Sequence, residues 1–177
     1  MLNLVADANL APFQNFESAT RHLEETAKRA GVRHLSYWFM QFTDGFPDHV
    51  VWVATYDPQY MNHYMKKFTP LGDPVIERLI ENDVVIDWNE WTATGVDKDI
   101  RESAAAYGIT HFGISLPLKL DSGDKAIFSV NANSDDADWP AQRGILAKRF
   151  RPFAQDFHLR MKPMIAARHV GEAVYSF

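Results

Sequence analysis

Five aromatic residues that can form hydrogen bonds lie close in the sequence to one carboxylate, that of Asp73. They are Tyr56, Tyr60, Tyr64, Trp88 and Trp91, and the whole set spans 36 residues. Tyr and Trp side chains combine a large apolar ring with one polar group. A cavity lined by them can therefore bury an apolar molecule and still bond its few polar atoms, which is typical of a small-molecule site.

Each of these residues also has an ordinary structural interpretation. Tyr60 and Tyr64 are four residues apart, so they would lie on one face of a helix and be partly exposed there. Trp88 would belong to the core. Asp73, followed by a proline, has the residue types favoured at the N-cap and first position of a helix. Taken singly, each residue favours this interpretation, whereas the spacing of the whole set favours a binding site.

The residues needed for metal or nucleophilic chemistry lack the required spacing. The seven His residues form no HxH, HxxH or HExxH pattern, no Gly-x-Ser-x-Gly occurs, and the chain has no Cys. An acidic cluster, Asp135, Asp136 and Asp138, precedes Pro140 and is typical of the first turn of a helix, where the helix dipole favours carboxylates. We therefore expect no metal, no cofactor and no enzymatic activity.

Composition narrows the class of protein further. The 177 residues are enough for one domain, and 46% hydrophobic with 23% charged residues suits a packed core. A formal net charge of -5 excludes DNA binding through a basic face. The absence of Cys favours a cytoplasmic protein. No apolar run approaches the roughly 18 to 20 residues that span a bilayer, so no membrane association is expected.

Hydrophobic periodicity predicts helices alternating with β-hairpins. Helices are predicted over residues 16–30, 60–68, from Asp73-Pro74 onwards, about 97–107, and from Pro140 to about His169 with a bend at its prolines. Strands are predicted over residues 34–42, 49–56, 84–88, 112–120 and 125–133. Hairpins imply antiparallel pairing, and helices on both sides can cover the sheet. We expect an α/β fold, a three-layer α-β-α sandwich with a central antiparallel sheet of about five strands, in a single domain over 1–177.

The spacing of the aromatic set resembles the autoinducer-binding domain of LuxR-type quorum-sensing transcriptional regulators. The matching residues are Tyr56, Tyr60, Tyr64, Asp73-Pro74, Trp88, Gly113 and Ser129. The resemblance extends over essentially the whole chain. It departs at Tyr60, where the family pattern has a Trp that donates its indole N–H to the ring carbonyl of an acyl-homoserine lactone. This difference lies at the residue that contacts the head group of the signal.

The resemblance implies a role for each ligand-binding residue. The signal would be an N-acyl-homoserine lactone or an analogue. Asp73 would accept its amide N–H, Tyr56 would donate to the acyl carbonyl, and Ser129 would do the same or contact an oxygen at the 3-position. Tyr60 would donate to the ring carbonyl, while Tyr64 and Trp88 would form apolar walls. Because a buried carboxylate without a partner is costly, the empty pocket is expected to be unstable.

The resemblance also implies partners. Regulators of this type are expected to form homodimers and to contact DNA only through a separate C-terminal helix-turn-helix domain. We expect no such domain in this chain, with about 165–177 forming an interdomain linker or tail.

Two other functions remain open at this stage. One is a protein-interaction module that heterodimerises with a full-length LuxR-type regulator and inhibits it, using the apolar stripe at 146–164. The same stripe would instead be ordinary core if it packs on the sheet. The other is an enzyme acting on the lactone or amide, which has no metal cluster or nucleophile–base pair in its favour.

Overall fold

The computed structural model describes residues 11–44, 46–68, 72–90, 95–120 and 122–168. Its helices are α1 (Phe16–Ala30), α2 (Pro58–Lys67), α3 (Pro74–Glu81), α4 (Val96–Ala105) and α5 (Trp139–Arg168). Its strands are β1 (His34–Thr43), β2 (Phe46–Ala54), β3 (Ile86–Asp87), β4 (Gly113–Leu118) and β5 (Lys125–Asn131). A short 3₁₀ helix, Trp88–Glu90, follows β3 directly.

The five strands form one antiparallel sheet in the order β2-β1-β5-β4-β3. The register places Ser129 of β5 opposite Ser36 of β1 and also opposite Ser115 of β4. Directly opposed residues of an antiparallel pair project to the same face. Three hydroxyl groups from three strands are therefore brought into one row across the middle of the sheet.

Helices cover both faces of the sheet, which confirms the three-layer α-β-α sandwich. Along β1, Tyr37 and Phe39 join the apolar cluster beneath α1 and α5, whereas Trp38 and Met40 join a second cluster beneath α2, α3 and α4. Successive residues of a strand point to opposite faces. Because both faces are buried, the strand shows no polar alternation.

Local sequence signals set the helix boundaries. Asn15 and Ser18 form a capping box at the start of α1, and Gly31 ends that helix at φ 72°. Asp73 caps α3 by accepting the N–H of Val75, with Pro74 in the first helical turn. These contacts confirm the predicted helix positions.

Several predicted strand boundaries differ from the structure; β2, β4 and β5, for example, each end two residues earlier than predicted. The strand predicted over 84–88 is only Ile86–Asp87, because Val84 and Val85 are exposed and the chain turns into the 3₁₀ helix at Trp88. The hairpin turn predicted over 43–48 is tighter, since pairing between β1 and β2 continues to Thr43 and Phe46 across a bulge after Gln41. An edge strand such as β2 tolerates the missing N–H of Pro47. Trp91 lies outside the described residues.

The stripe at 146–164 is ordinary core. Leu146, Phe150, Phe157 and Met161 are buried against the sheet, and α5 stays helical through Pro152 and Pro163. The sheet covers these four side chains, so they are not exposed to a partner, and heterodimerisation with a full-length regulator stays a prediction. Among the described helices, none has the length and hydrophobicity needed to cross a membrane.

Candidate ligand-binding site

A cavity of about 620 Å³ lies between the sheet and the layer formed by α2, α3 and α4. Its sheet side carries Trp38, Ile127 and the three serines, and its helix side carries apolar residues such as Met61, Ile76 and Ile100. All six residues predicted from the sequence line it together: Tyr56, Tyr60, Tyr64, Asp73, Trp88 and Ser129.

Asp73 lies at the start of α3 and is 9% exposed. Its Oδ1 accepts the Val75 N–H at 2.8 Å, and its Oδ2 accepts the hydroxyl of Tyr64 at 2.6 Å. Asp73 therefore caps a helix and also lines the cavity, so its structural interpretation is confirmed and its contact with a ligand stays a prediction.

These contacts correct two expectations. Tyr64 is more than an apolar wall, because its hydroxyl donates to the carboxylate. The carboxylate is also not left without partners in the empty cavity, since each of its oxygens accepts a hydrogen bond. An unpartnered carboxylate is therefore no longer a reason to expect the empty pocket to be unstable.

The electrostatics of the site follow from burial. Burial raises the pKa of Asp73, while the hydrogen bonds from Tyr64 and from the Val75 and Ile76 N–H groups lower it, and the negative charge of Asp97 raises it again. Burial also raises the pKa of the Tyr64 hydroxyl, and the Asp73 charge adds to that effect. Tyr64 therefore remains a protonated donor at neutral pH.

The three tyrosines form a continuous group of rings. The centroids of Tyr56 and Tyr60 are 5.7 Å apart with an edge-on orientation, and those of Tyr60 and Tyr64 are 6.0 Å apart. Burial of its hydroxyl raises the pKa of Tyr56 to about 12, although Ser36 beside it lowers the value. Burial likewise raises the pKa of Tyr60. Both hydroxyls therefore keep their protons and can donate.

Trp88 is positioned by Ser115 and Gly113. Its indole Nε1 donates to the Ser115 Oγ at 2.9 Å, and that Oγ lies 2.8 Å from the Oγ of Ser129. A Cβ at Gly113 would come within 2.1 Å of the Trp88 ring, far inside van der Waals contact. Gly113 is thus required because the indole lies directly on the β4 backbone.

Sequence reasoning missed several lining residues. Ser36 and Ser115 become visible only once the hairpins are aligned, because both lie opposite Ser129. The pair Asp97 and Arg101 had a weak signal in its four-residue helical spacing, which is common on solvated faces. Among the described residues, no group of three or more His, Cys, Asp or Glu could hold a metal ion.

The residues 15–161 match the family described as the autoinducer binding domain. The chain belongs to this family. The transcriptional activator protein RaiR of Rhizobium etli is 25% identical over 124 residues, which are 68% of this chain and 50% of RaiR. The chain thus spans about half the length of this curated relative.

Solved structures show the same fold for this autoinducer-binding domain. The N-acylhomoserine lactone dependent LuxR family transcription factor CepR2 of Burkholderia cenocepacia has a TM-score of 0.66 at 19% identity, covering 86% of this chain and 88% of CepR2. Escherichia coli SdiA has a TM-score of 0.63 at 15% identity, covering 93% of this chain and 68% of SdiA. This is a signal-sensing domain of the LuxR type, from a family of transcription regulators rather than of enzymes.

Proposed function

We propose that this autoinducer-binding domain binds an N-acyl-homoserine lactone, or a related amphipathic signal, without transforming it. The bound signal stabilises the fold and thereby controls quorum-sensing transcription. The observation that carries the proposal is the cavity, in which Asp73, Tyr56 and Ser129 present one acceptor and several hydroxyls within an otherwise largely apolar wall.

The amide group of the signal is held by Asp73. A carboxylate has about four lone-pair sites, of which three are used by Tyr64 and by the N–H groups of Val75 and Ile76. A ligand N–H therefore adds a charge-assisted hydrogen bond, of about 1.5–3 kcal/mol, without displacing any of these partners.

The acyl carbonyl accepts from Tyr56, whose hydroxyl proton is retained because of its raised pKa. Ser129 supplies a second hydroxyl on the sheet side, within the row that also includes Ser115. Trp88 forms the wall beside the ring, and Tyr60 faces the same cavity.

The acyl chain lies against Trp38, Ile76 and Ile127. Each Å² of apolar surface removed from water contributes about 25 cal/mol. A structure of SdiA in complex with octanoyl-rac-glycerol has a TM-score of 0.62 at 15% identity, covering 93% of this chain and 66% of SdiA. That SdiA complex holds an acyl compound, which supports an acyl-binding cavity in this fold.

We further propose that the domain acts as a homodimer in the cytoplasm. The linker or tail expected from about 165 would begin only after Arg168, because α5 continues to that residue and Ile165 is buried in the core. DNA contact belongs to a separate C-terminal helix-turn-helix domain. The match with this chain covers half of RaiR, which is consistent with a separate DNA-binding domain.

Asp73→Asn tests the proposal. Asn is an equally good N-cap, so the fold is retained, but the bond to the ligand amide loses its charge. We expect the dissociation constant of the best acyl-homoserine lactone in a panel of chain lengths to rise about tenfold, measured by isothermal titration calorimetry. The wild-type protein should also gain thermal stability with that lactone.

Asp57→Asn is the matched control. Asp57 caps α2 by the same device, accepting the Gln59 N–H at 2.7 Å before Pro58, but it is exposed and lies outside the cavity. Its substitution should leave lactone affinity unchanged. The proposal fails if no lactone of the panel binds the wild-type protein, or if both Asn variants bind it equally well.

A further inference from the structure

Three charged side chains of α4, those of Asp97, Arg101 and Glu102, lie in the wall of the cavity. Asp97 and Arg101 both line it, and the Arg101 Nε donates to the Asp97 Oδ1 at 3.2 Å. Their side chains are only 12% and 23% exposed. Removing both charges from water is costly. A partly buried ion pair is therefore unexpected in a cavity with a largely apolar wall.

The neighbouring pair on the same helix shows that this placement is not imposed by helical spacing. Lys98 and Glu102 are also four residues apart, with a separation of 3.6 Å, but their side chains are 60% and 67% exposed. Surface pairs of this kind contribute little to stability. The helix thus carries one largely exposed pair, of which Glu102 also lines the cavity, and one mostly buried pair turned into the cavity.

The Asp97–Arg101 pair lies at the end of the cavity where Asp73 is found. Asp97 is close enough to Asp73 for its charge to act on that carboxylate. Lys67 of α2 also reaches Asp99 of α4 at 3.9 Å, so these two helices pack together near this end. A signal with its amide at Asp73 would therefore have its head group near Arg101.

Arg101 has donors to spare. Its guanidinium carries five N–H groups, and within the described part of the chain its one hydrogen bond is that of Nε to Asp97. Asp97 thus orients the guanidinium and leaves the terminal nitrogens for another acceptor. A guanidinium held in this way offers a planar, permanently charged donor.

Tyr60 is less suited than Arg101 to donate a hydrogen bond to the head group of the signal. Its ring is held among three other tyrosine rings, those of Tyr56, Tyr64 and Tyr107, at centroid distances of 5.5 to 6.0 Å. A single phenolic O–H in such a packed group has little freedom to follow a ligand.

Building on the proposed function, we propose that Arg101 selects the head group of the signal by donating its terminal N–H groups to a neutral carbonyl oxygen, such as that of a lactone ring. The head group is neutral because three carboxylates line the cavity, those of Asp73, Asp97 and Glu102, against the two guanidinium groups of Arg33 and Arg101. An anionic head would be repelled by this arrangement.

Three probes with the same acyl chain test the assignment. They are the N-acyl-homoserine lactone, the N-acyl-cyclopentylamine, which keeps the amide and a five-membered ring but lacks the ring carbonyl, and the ring-opened N-acyl-homoserine. The chain length is the one that gives the wild-type protein its largest thermal shift. Dissociation constants are measured by calorimetry.

The wild-type protein should bind the lactone at least tenfold more tightly than the cyclopentylamine, and more tightly than the ring-opened acid. Arg101→Met should reduce the preference over the cyclopentylamine to less than threefold. Lys98→Met is the control, since it removes a cation from the exposed pair of the same helix, and it should leave the preference unchanged.

A second variant keeps the test valid if Arg101→Met does not fold. The double variant Asp97→Asn with Arg101→Met leaves no unpaired carboxylate and should lose the preference in the same way. If either Arg101 variant keeps the wild-type preference, or if Tyr60→Phe alone abolishes it, Arg101 does not select the head group. Tighter binding of the ring-opened acid by the wild-type protein would refute the neutral head.

The same data separate this inference from the proposed function. Equal binding of lactone and cyclopentylamine, weakened in Asp73→Asn, would overturn the role of Arg101 and leave the proposed function standing. Absence of binding for every probe would overturn both.

Discussion

At the scale of single residues, structural roles and proposed binding roles fall on the same side chains in this domain. Asp73 and Asp57 both precede a proline and cap a helix, yet only Asp73 is buried against the cavity and accepts a tyrosine hydroxyl. The dipeptide therefore predicts a helix start at both places and a ligand contact at neither. Burial against the cavity distinguishes Asp73 from Asp57.

Gly113→Ala should disrupt the wall formed by Trp88. The added Cβ would lie 2.1 Å from the indole, so the ring must shift and its hydrogen bond to Ser115 must break. Overpacking of this kind typically costs about 1–3 kcal/mol. We expect chemical denaturation to show a loss of that size, together with weaker lactone binding.

Gly144→Ala provides the comparison. Gly144 lies inside α5 with open space around the position of its Cβ, so the same substitution should stabilise the protein by about 0.5–1 kcal/mol. Equal effects at both positions would show that the Trp88 contact does not constrain Gly113.

At the scale of elements, three polar contacts join α5 to the sheet. The Tyr37 hydroxyl lies 2.7 Å from the His158 Nδ1, and Asp87 of β3 accepts the indole N–H of Trp139 at 2.9 Å. Arg143 also donates to Asp87 at 2.7 Å. Because β3 leads directly into Trp88, these contacts hold the wall of the cavity through the start of α5.

The His158 contact predicts a pH dependence of stability. Burial lowers the pKa of His158 to about 4, with the charge of Lys162 contributing, whereas its ordinary value is 6.5. Between these values the unfolded chain binds more protons than the folded one, so stability rises with pH through this window. It is fully present above about pH 6.5 and lost as the pH falls towards 4.

Substitution at His158 isolates this effect. One pKa unit is worth about 1.4 kcal/mol, so after allowance for partial solvation the wild-type protein should lose about 2 kcal/mol more than His158→Gln between pH 7 and pH 4.5. The raised pKa of Asp73 acts in the opposite direction in both proteins and cancels in the comparison. Urea denaturation at both pH values measures the difference. His63→Gln, at an exposed position, should follow the wild type, and a parallel fall in His158→Gln would contradict the prediction.

At the scale of the whole molecule, the sheet separates a filled core from one that surrounds a cavity. The cluster beneath α1 and α5 contains fully buried residues such as Leu23, Phe128 and Phe150. The cluster beneath α2, α3 and α4 encloses the cavity. A ligand there completes the second core, and at a hundredfold excess over Kd it stabilises the fold by about 2.7 kcal/mol.

Hydrogen exchange should show this asymmetry. In the free protein, amides of α2, α3 and α4 should exchange faster than those of the sheet-facing part of α5, because they pack over a void. A bound lactone should slow exchange mainly in the first group. Uniform slowing over both layers, measured by mass spectrometry, would contradict a signal that completes only the second core.

Much of the fold and of the site could be predicted from the sequence. The helices, the two main hairpins and the Asp73 cap depend on residues close together in the chain, so periodicity and cap chemistry reveal them. The six candidate residues follow a spacing shared with a known family, and the structure places all of them on one cavity. The short length of β3 and the tight turn of the first hairpin were not predicted, because exposure and register decide where an edge strand ends.

The tertiary structure alone decided how those residues meet. The bond from Tyr64 to Asp73, the row of Ser36, Ser129 and Ser115, and the turn of Arg101 into the cavity wall all depend on the packing of separate elements. The burial of the 146–164 stripe has the same origin, because an apolar helix face looks alike whether the sheet or a partner covers it. Local patterns specify which faces are apolar, and only the assembled sheet and helices determine which surfaces meet and where space remains.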